Sequence, residues 1–217
     1  MTANIELIVL HTTKTGDNSI VAHTLSKEYG RRSFLIRGAG KKSTTSMLLP
    51  LSIIEADVVE TTKSTLFTAR NISSRYPLLG IRNNLYKNSM TLFLSEVLYR
   101  TVKDGVNEDG LYGWCVKNIL LLDAMDSDFS NFHIRFLLEF AVALGFSPES
   151  RDLAPFVGEN FPLVEKFMTL PFADSMLIPL NGSLRNEIAE EILRYIEYHT
   201  DSSVNVNSLK VLSELFV

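Results

Sequence analysis

The feature that most constrains this chain is a change of hydrophobic period at Tyr76-Pro77. Before it, short apolar runs rich in β-branched residues are separated by turn formers, which is strand punctuation. Residues 5–11 (IELIVLH) lead into Lys14-Thr15-Gly16-Asp17-Asn18, and residues 19–25 (SIVAHTL) stop before Gly30. Residues 31–39 alternate in part, with Ser33, Leu35 and Arg37 on one face and Phe34 and Ile36 on the other. Two further strands are expected over 53–61 and 66–73. Five short strands with no long helical pattern between them fit a small closed or partly open barrel better than a βαβ sheet.

After Pro77 the apolar positions recur three to four residues apart, as on one face of a helix: Leu85, Met90, Phe93, Leu94, Val97 and Leu98. A second helix is expected over 111–125, and a third over 131–144 with Asp128 or Ser130 as N-cap and Gly145 at C′. Pro148, Pro155, Gly158 and Pro162 make residues 146–162 read as loop with at most short elements. Ser183 is placed to cap a helix over 184–198 that turns Ile188, Ile192, Tyr195 and Ile196 inward, and Asn207 to cap a last one ending in Leu212, Leu215 and Phe216. The expected class is α+β, with a β-barrel domain over residues 1–77 followed by an all-helical domain over 78–217.

Charge divides at the same place. Residues 1–80 hold ten Lys/Arg against six Asp/Glu, a surplus of +4, and residues 81–217 hold eleven against nineteen, or −8. A basic module beside an acidic one suggests that the first binds a large anion, and nucleic acid is the commonest such anion. The N-terminus Met1-Thr-Ala-Asn-Ile-Glu lacks the flank and core of a signal peptide, and no uncharged apolar run approaches the roughly 20 residues of a membrane span. A cytoplasmic protein without membrane association is therefore expected. The single cysteine, Cys115, can form neither an internal disulfide nor a multi-cysteine zinc site, and beside Trp114 on an apolar helical stripe it reads as a buried, inert thiol.

Gly38-Ala39-Gly40-Lys41-Lys42-Ser43 has the composition of a phosphate loop without the spacing of one. A Walker loop needs glycine where Leu35 stands, and a dinucleotide fingerprint needs one where Ser43 stands. What remains is a mobile, cationic, hydroxyl-rich loop through Thr44, Thr45 and Ser46, suited either to backbone phosphates or to an ordinary solvated turn. Together with Lys14, Arg31, Arg37, Lys41, Lys42, Arg70 and Arg75 it would form the DNA-binding surface if these cations join in one patch. Phe34, Phe67 and Tyr76 are possible stacking rings, with Phe34 the best core candidate and Tyr76 the best exposed one. His11, His23, His133 and His199 have no partner at a metal-ligand spacing and read as isolated side chains. No nucleophile elbow or metal cluster argues for an enzyme, and no cofactor is implied. In residues 134–138 (IRFLL) Arg135 is either a snorkelling arginine on a core helix or the rim of an apolar groove for an acidic peptide.

In order and spacing these segments resemble the bacterial recombination mediator RecO family. The resemblance rests on Val9-Leu10-His11-Thr12 leading to Gly16-Asp17-Asn18-Ser19, on Leu25-Ser26-Lys27-Glu28-Tyr29-Gly30, on Arg37-Gly38-Ala39, Ser43 and Leu49-Pro50-Leu51. It continues through Arg135-Phe136-Leu137-Leu138, Leu144-Gly145-Phe146, the stretch from Tyr195 to His199, and Ser208-Leu209-Lys210-Val211-Leu212. It implies an N-terminal OB-fold, a helical C-terminal domain and a non-catalytic, nucleoid-associated DNA repair role. That role comprises binding single- and double-stranded DNA, annealing strands, working with RecR, contacting the acidic tail of single-stranded DNA-binding protein (SSB), and helping to load RecA. Arg37, Lys41 and Lys42 stand where the family carries basic residues, so the resemblance makes them DNA or RecR contacts. Many relatives hold a four-cysteine zinc site after the Leu-Gly-Phe segment. Here the run from Phe146 to Pro155 has no cysteine, so apolar packing must hold that region. The alternative to the DNA reading is a protein-interaction adaptor whose barrel binds a partner protein.

Overall fold

A computed structural model describes residues 2–38, 42–60 and 66–215. Five strands close into a barrel in the order β1-β2-β3-β5-β4, with β4 returning to β1. They are β1 (Thr2–Lys14), β2 (Ser19–Ser26), β3 (Gly30–Arg37), β4 (Ile53–Val59) and β5 (Phe67–Ser74). All neighbours are antiparallel except β3 and β5, which run parallel through Phe34↔Phe67 and Ile36↔Ala69. This is the OB-type barrel, and closure leaves no free edge. β1 is longer than expected because it serves two partners: residues 2–8 pair with β4, residues 8–14 with β2, and a bulge between Val9 and His11 turns the strand between them. Alternation along the strands fills the interior with Ile5, Leu7, Val9, Ile20, Ala22, Phe34, Ile36, Ile54, Ala56, Val58 and Ala69.

The loop expected after Arg37 is helical in part. Helix α1 (Lys42–Met47) follows β3, and Met47 and Leu48 pack on the barrel core. Ser and Thr are indifferent helix formers, so burial of these two apolar side chains, which a local reading does not register, decides the conformation.

The chain divides into two compact units, Met1–Leu79 with Val102–Ile119, and Gly80–Thr101 with Leu120–Val217. The first unit is thus not the continuous segment 1–77. Residues 102–107 lie along the start of β3, where Gly105 N–H donates to the Arg31 carbonyl (2.8 Å) and Arg31 N–H to the Val106 carbonyl (3.3 Å). The approach is so close that a Cβ built on Gly30, whose φ is +59°, would stand 2.0 Å from the Val106 oxygen.

The second unit is helical. α2 (Leu79–Arg82) begins at the boundary, and α3 (Leu85–Thr101) buries Met90, Phe93, Leu94, Val97 and Leu98 as the period predicts, whereas Leu85, the first residue of the helix and expected on the same stripe, is exposed. α4 (Leu111–Ala124) belongs to the first unit as far as Ile119 and to the second from Leu120, and α5 (Phe132–Ala143) follows in the second. α5 ends as expected at Gly145: Gly145 N–H donates to the Val142 carbonyl and Phe146 N–H to that of Ala141, the paired bonds of a Schellman cap. At its start neither Asp128 nor Ser130 is the cap. Asn131 holds that position without a capping bond, because its amide donates to the carbonyls of Ser175, Met176 and Ile178 and accepts from Arg185 Nε.

Residues 146–162 are also more ordered than a loop. They hold α6 (Ser150–Val157), a 3-10 turn (Gly158–Asn160) and the start of α7 (Phe161–Thr169). The prolines stand where helices tolerate them, Pro148 before α6 and Pro162 in the first turn of α7, while Pro155 lies in the last turn of α6. Leu153, Val157, Val164 and Phe167 are fully buried, so apolar packing does hold this region. After α8 (Phe172–Met176), α9 (Gly182–Thr200) is capped by Asn181, whose side chain accepts from Leu184 N–H (2.8 Å), and not by Ser183. In α10 (Ser208–Leu215) the first-turn donors of Asn207 and Ser208 are taken by the Glu96 carboxylate of α3. Phe216 lies outside the described residues. Among the described residues no helix is long and apolar enough to cross a membrane.

Candidate nucleic-acid interface

Pairing arranges the outward-facing side chains of the barrel in tiers, because residues directly opposite each other in a sheet share a face. One tier runs Ser19–Arg37 across β2 and β3, and one step beyond Ile36↔Ala69 in the parallel register it reaches Arg70 on β5. The next runs Thr13–Val21–Leu35–Thr68, and the third His11–His23–Ser33. Arg37 and Arg70, 33 residues apart in sequence, thus become neighbours on one exposed surface. Among the described residues neither belongs to an ion pair. Asp57, opposite Arg70, instead accepts from Asn4 Nδ2 (2.9 Å) and Asn71 Nδ2 (2.7 Å), and these bonds lower its pKa.

The seven expected DNA contacts do not form one patch. Lys14 is exposed at the end of β1, and Gly38 N–H donates to the Asn18 carbonyl (2.9 Å), tying the end of β3 to the β1–β2 turn. Lys14 and Arg37 therefore stand at one end of the barrel, with Arg70 beside them, while the side chain of Lys42 lies outside the described residues. Lys41 lies outside the described residues. Arg31 sits at the other end of β3, about 20 Å from Arg37 at the usual strand rise, and its guanidinium donates to the Val102 carbonyl (2.7 Å). Arg75 is bound to Glu6 (3.0 Å) and Glu55 (3.2 Å), two carboxylates that the β1–β4 register sets opposite each other. It neutralises a repulsion inside the barrel wall and adds no net positive charge to the surface.

The aromatic candidates are occupied as well. Phe34 is in the core, as expected. Phe67 lies beneath the Arg32 guanidinium, 3.9 Å from its ring centre, and Tyr76 is half-buried with Arg75 5.5 Å away, less exposed than the sequence suggested. Arg32 escaped the sequence reading because the pleat turns it to the opposite face from Arg31, toward Phe67 and Tyr29.

The histidines are not all isolated. The β1–β2 register sets His11 opposite His23, with ring centres 5.7 Å apart and planes 23° from parallel. His23 bonds Ser33 Oγ through Nδ1 (2.8 Å) and Thr13 Oγ1 through Nε2 (3.2 Å). Burial, then the neighbouring His11 and Arg31, lower its pKa against an opposing pull from Asp104. His133 is fully buried, and burial with the nearby Arg185 pushes its pKa down to about 3. Cys115 is buried, and burial raises its thiol pKa, so it stays protonated. Among the described residues no group of three or more His, Cys, Asp or Glu side chains is placed to hold a metal ion.

In the helical unit Arg135 lines an open groove of about 230 Å³ with Leu138, Val142, Pro148 and Met168. Its guanidinium points into the protein. It pairs with Glu139 and donates to the carbonyls of Phe167 and, at 3.1 Å, Leu170, where α7 ends. Arg135 therefore anchors the C-terminus of α7 and forms one wall of the groove, a role between the two that its sequence context allows.

Comparison with known proteins agrees with both halves of this architecture. The family model described as "Recombination protein O N terminal" matches residues 1–75, and the one described as "Recombination protein O C terminal" matches residues 82–155. The chain is similar to the DNA repair protein RecO of Phocaeicola vulgatus, 29% identical over 233 aligned residues covering 96% of this chain and 97% of that protein. It is also similar to the proteins of the same name from Bacteroides fragilis, at 27% over 96% and 97%, and Flavobacterium psychrophilum, at 25% over the whole of both.

Proposed function

The chain belongs to the RecO family of DNA repair proteins, and from that premise we propose that it is a non-catalytic mediator whose barrel binds single-stranded DNA. The observation that carries this reading is the pairing of Arg37 with Arg70 on an exposed face, joined by Lys14 at the same end of the barrel. Cations with no carboxylate partner are the ones that release counterions when they meet phosphate, so this end dominates affinity and makes it salt-dependent. The Val21–Leu35 tier beside them offers apolar surface to bases without reading their edges, which makes binding tolerant of sequence. Neutralised phosphates repel each other less, and strand annealing and contact with double-stranded DNA follow from the same surface.

The partner roles extend this reading. The apolar groove beside Arg135 is the place proposed for the acidic tail of SSB, with RecR joining the protein to load RecA. The test is titration of a fluorescent oligonucleotide at several salt concentrations. Replacing Arg37 and Arg70 together with Ala should weaken binding and reduce the slope of log affinity against log salt by about 1.4, at roughly 0.7 per phosphate contact on single strands. An unchanged slope would return the barrel to the adaptor role, in which it binds a protein and not DNA.

A further inference from the structure

The third tier of the barrel face carries no net role in phosphate binding, and its chemistry is different. His11 is exposed, while His23 beneath it is half-buried and held from both sides by Ser33 and Thr13. The lower ring is therefore fixed in orientation, and the upper ring rests nearly parallel on it at 5.7 Å. The pair presents two nearly parallel imidazole rings on adjacent strands, the one on β2 held by its hydrogen bonds. Every charged group facing His23 bears on whether it acts as a cation. His11 on β1 and Arg31 on β3 disfavour its protonation, as does burial, and Asp104 alone opposes them. These influences favour the neutral ring of His23.

Its position completes a gradient across the face. Successive tiers are two residues apart along the strands, about 7 Å, so the imidazoles stand two tiers, about 13 Å, from Arg37 with Val21 and Leu35 between them. Cations at one end, apolar side chains in the middle and a ring pair at the other place phosphate-binding and base-binding chemistry on one face of the barrel. Phe34, Phe67 and Tyr76 cannot supply that ring, being respectively in the core, under Arg32 and half-buried beside Arg75.

We propose that His11, backed by His23, is the platform on which a nucleobase of bound single-stranded DNA stacks. This inference rests on the strand-binding reading of the same face.

The test uses the full chain and two fluorescent strands of equal length, oligothymidine and an abasic phosphodiester strand, titrated at pH 8 across salt. His11→Ala should weaken oligothymidine binding by about 5- to 10-fold, the low end for a stacking side chain. It should leave the salt slope and abasic-strand affinity unchanged, and His11→Tyr should restore binding. If His11→Ala weakens both strands equally or lowers the salt slope, the imidazole acts through charge and the proposal falls. It falls equally if neither strand is affected while Arg37→Ala still weakens both. If Arg37→Ala and Arg70→Ala leave both strands unaffected, the strand-binding reading itself fails.

Discussion

Replacing Gly30 with Ala tests how the first unit is held together. Gly30 has φ +59°, and a Cβ there would lie 2.0 Å from the Val106 oxygen and 2.6 Å from the Asn107 Cα, both backbone atoms that cannot rotate away. Two costs add. A left-handed non-glycine residue costs about 1–2 kcal/mol. Relieving the clash also moves residues 105–107 off β3, removing the Gly105-to-Arg31 and Arg31-to-Val106 backbone bonds, each worth about 1 kcal/mol. The sum is about 3–4 kcal/mol, and with a urea dependence near 2 kcal/mol per molar the midpoint should fall by roughly 1.5–2 M. The sole tryptophan, Trp114, belongs to the same unit, so its fluorescence reports the transition that matters. Gly38 provides the control. Its φ is +73° and nothing lies within 4 Å of the Cβ position, so Gly38→Ala should incur the backbone cost alone. Equal shifts for the two variants would show that the close approach of residues 105–107 contributes nothing, and the reasoning would be refuted.

Three other outcomes follow from the same geometry. Arg75→Ala should leave the salt slope of strand binding unchanged, since Glu6 and Glu55 already neutralise it; a drop like that of Arg37→Ala would place Arg75 on the DNA surface. Acid should destabilise the helical unit: His133 takes up a proton near 6.5 when unfolded but only near 3 when folded, so stability is complete above pH 6.5 and falls below it by about 1.4 kcal/mol per pH unit from this group. Urea midpoints of wild type and His133→Leu between pH 7 and 4 check this, with parallel declines counting against the assignment. Val142, 52% exposed on the groove beside Arg135, is a gentler probe of that groove than Arg135, which also anchors α7. Val142→Glu should abolish binding of an acidic tail peptide in anisotropy while leaving the circular dichroism spectrum intact, and undiminished binding would move the docking site elsewhere.

Hydrophobic period made the five strands, the long helices and the change of architecture near Tyr76-Pro77 readable, because it reflects which side of an element is buried. Gly145 was likewise readable as a helix end, since its left-handed conformation is a local matter. The failures share one cause. Ser183 looked like a cap, but Asn181 takes that role; Asp128 and Ser130 looked like caps, but α5 begins at Asn131, whose side chain is engaged with α8 and α9. The prolines of residues 146–162 looked like helix breakers and proved to be helix punctuation, because buried Leu153 and Phe167 draw that segment into the core. At the candidate interface Arg37, Arg31 and Arg75 are equivalent as sequence, each a basic residue in or beside a strand. Only the strand register separates the exposed cation from the one bonded to Val102 and the one held by two glutamates.

By itself, then, the chain order determined a basic β-barrel followed by an acidic helical region, because residues a few positions apart set period, turn chemistry and regional charge. Tertiary structure alone decided which cations remain available to an anion, that His11 and His23 form one surface, and that residues 102–119 belong with the barrel. Each of these depends on pairing between residues distant in sequence, and a shift of one position in β-sheet register would turn each side chain to the opposite face.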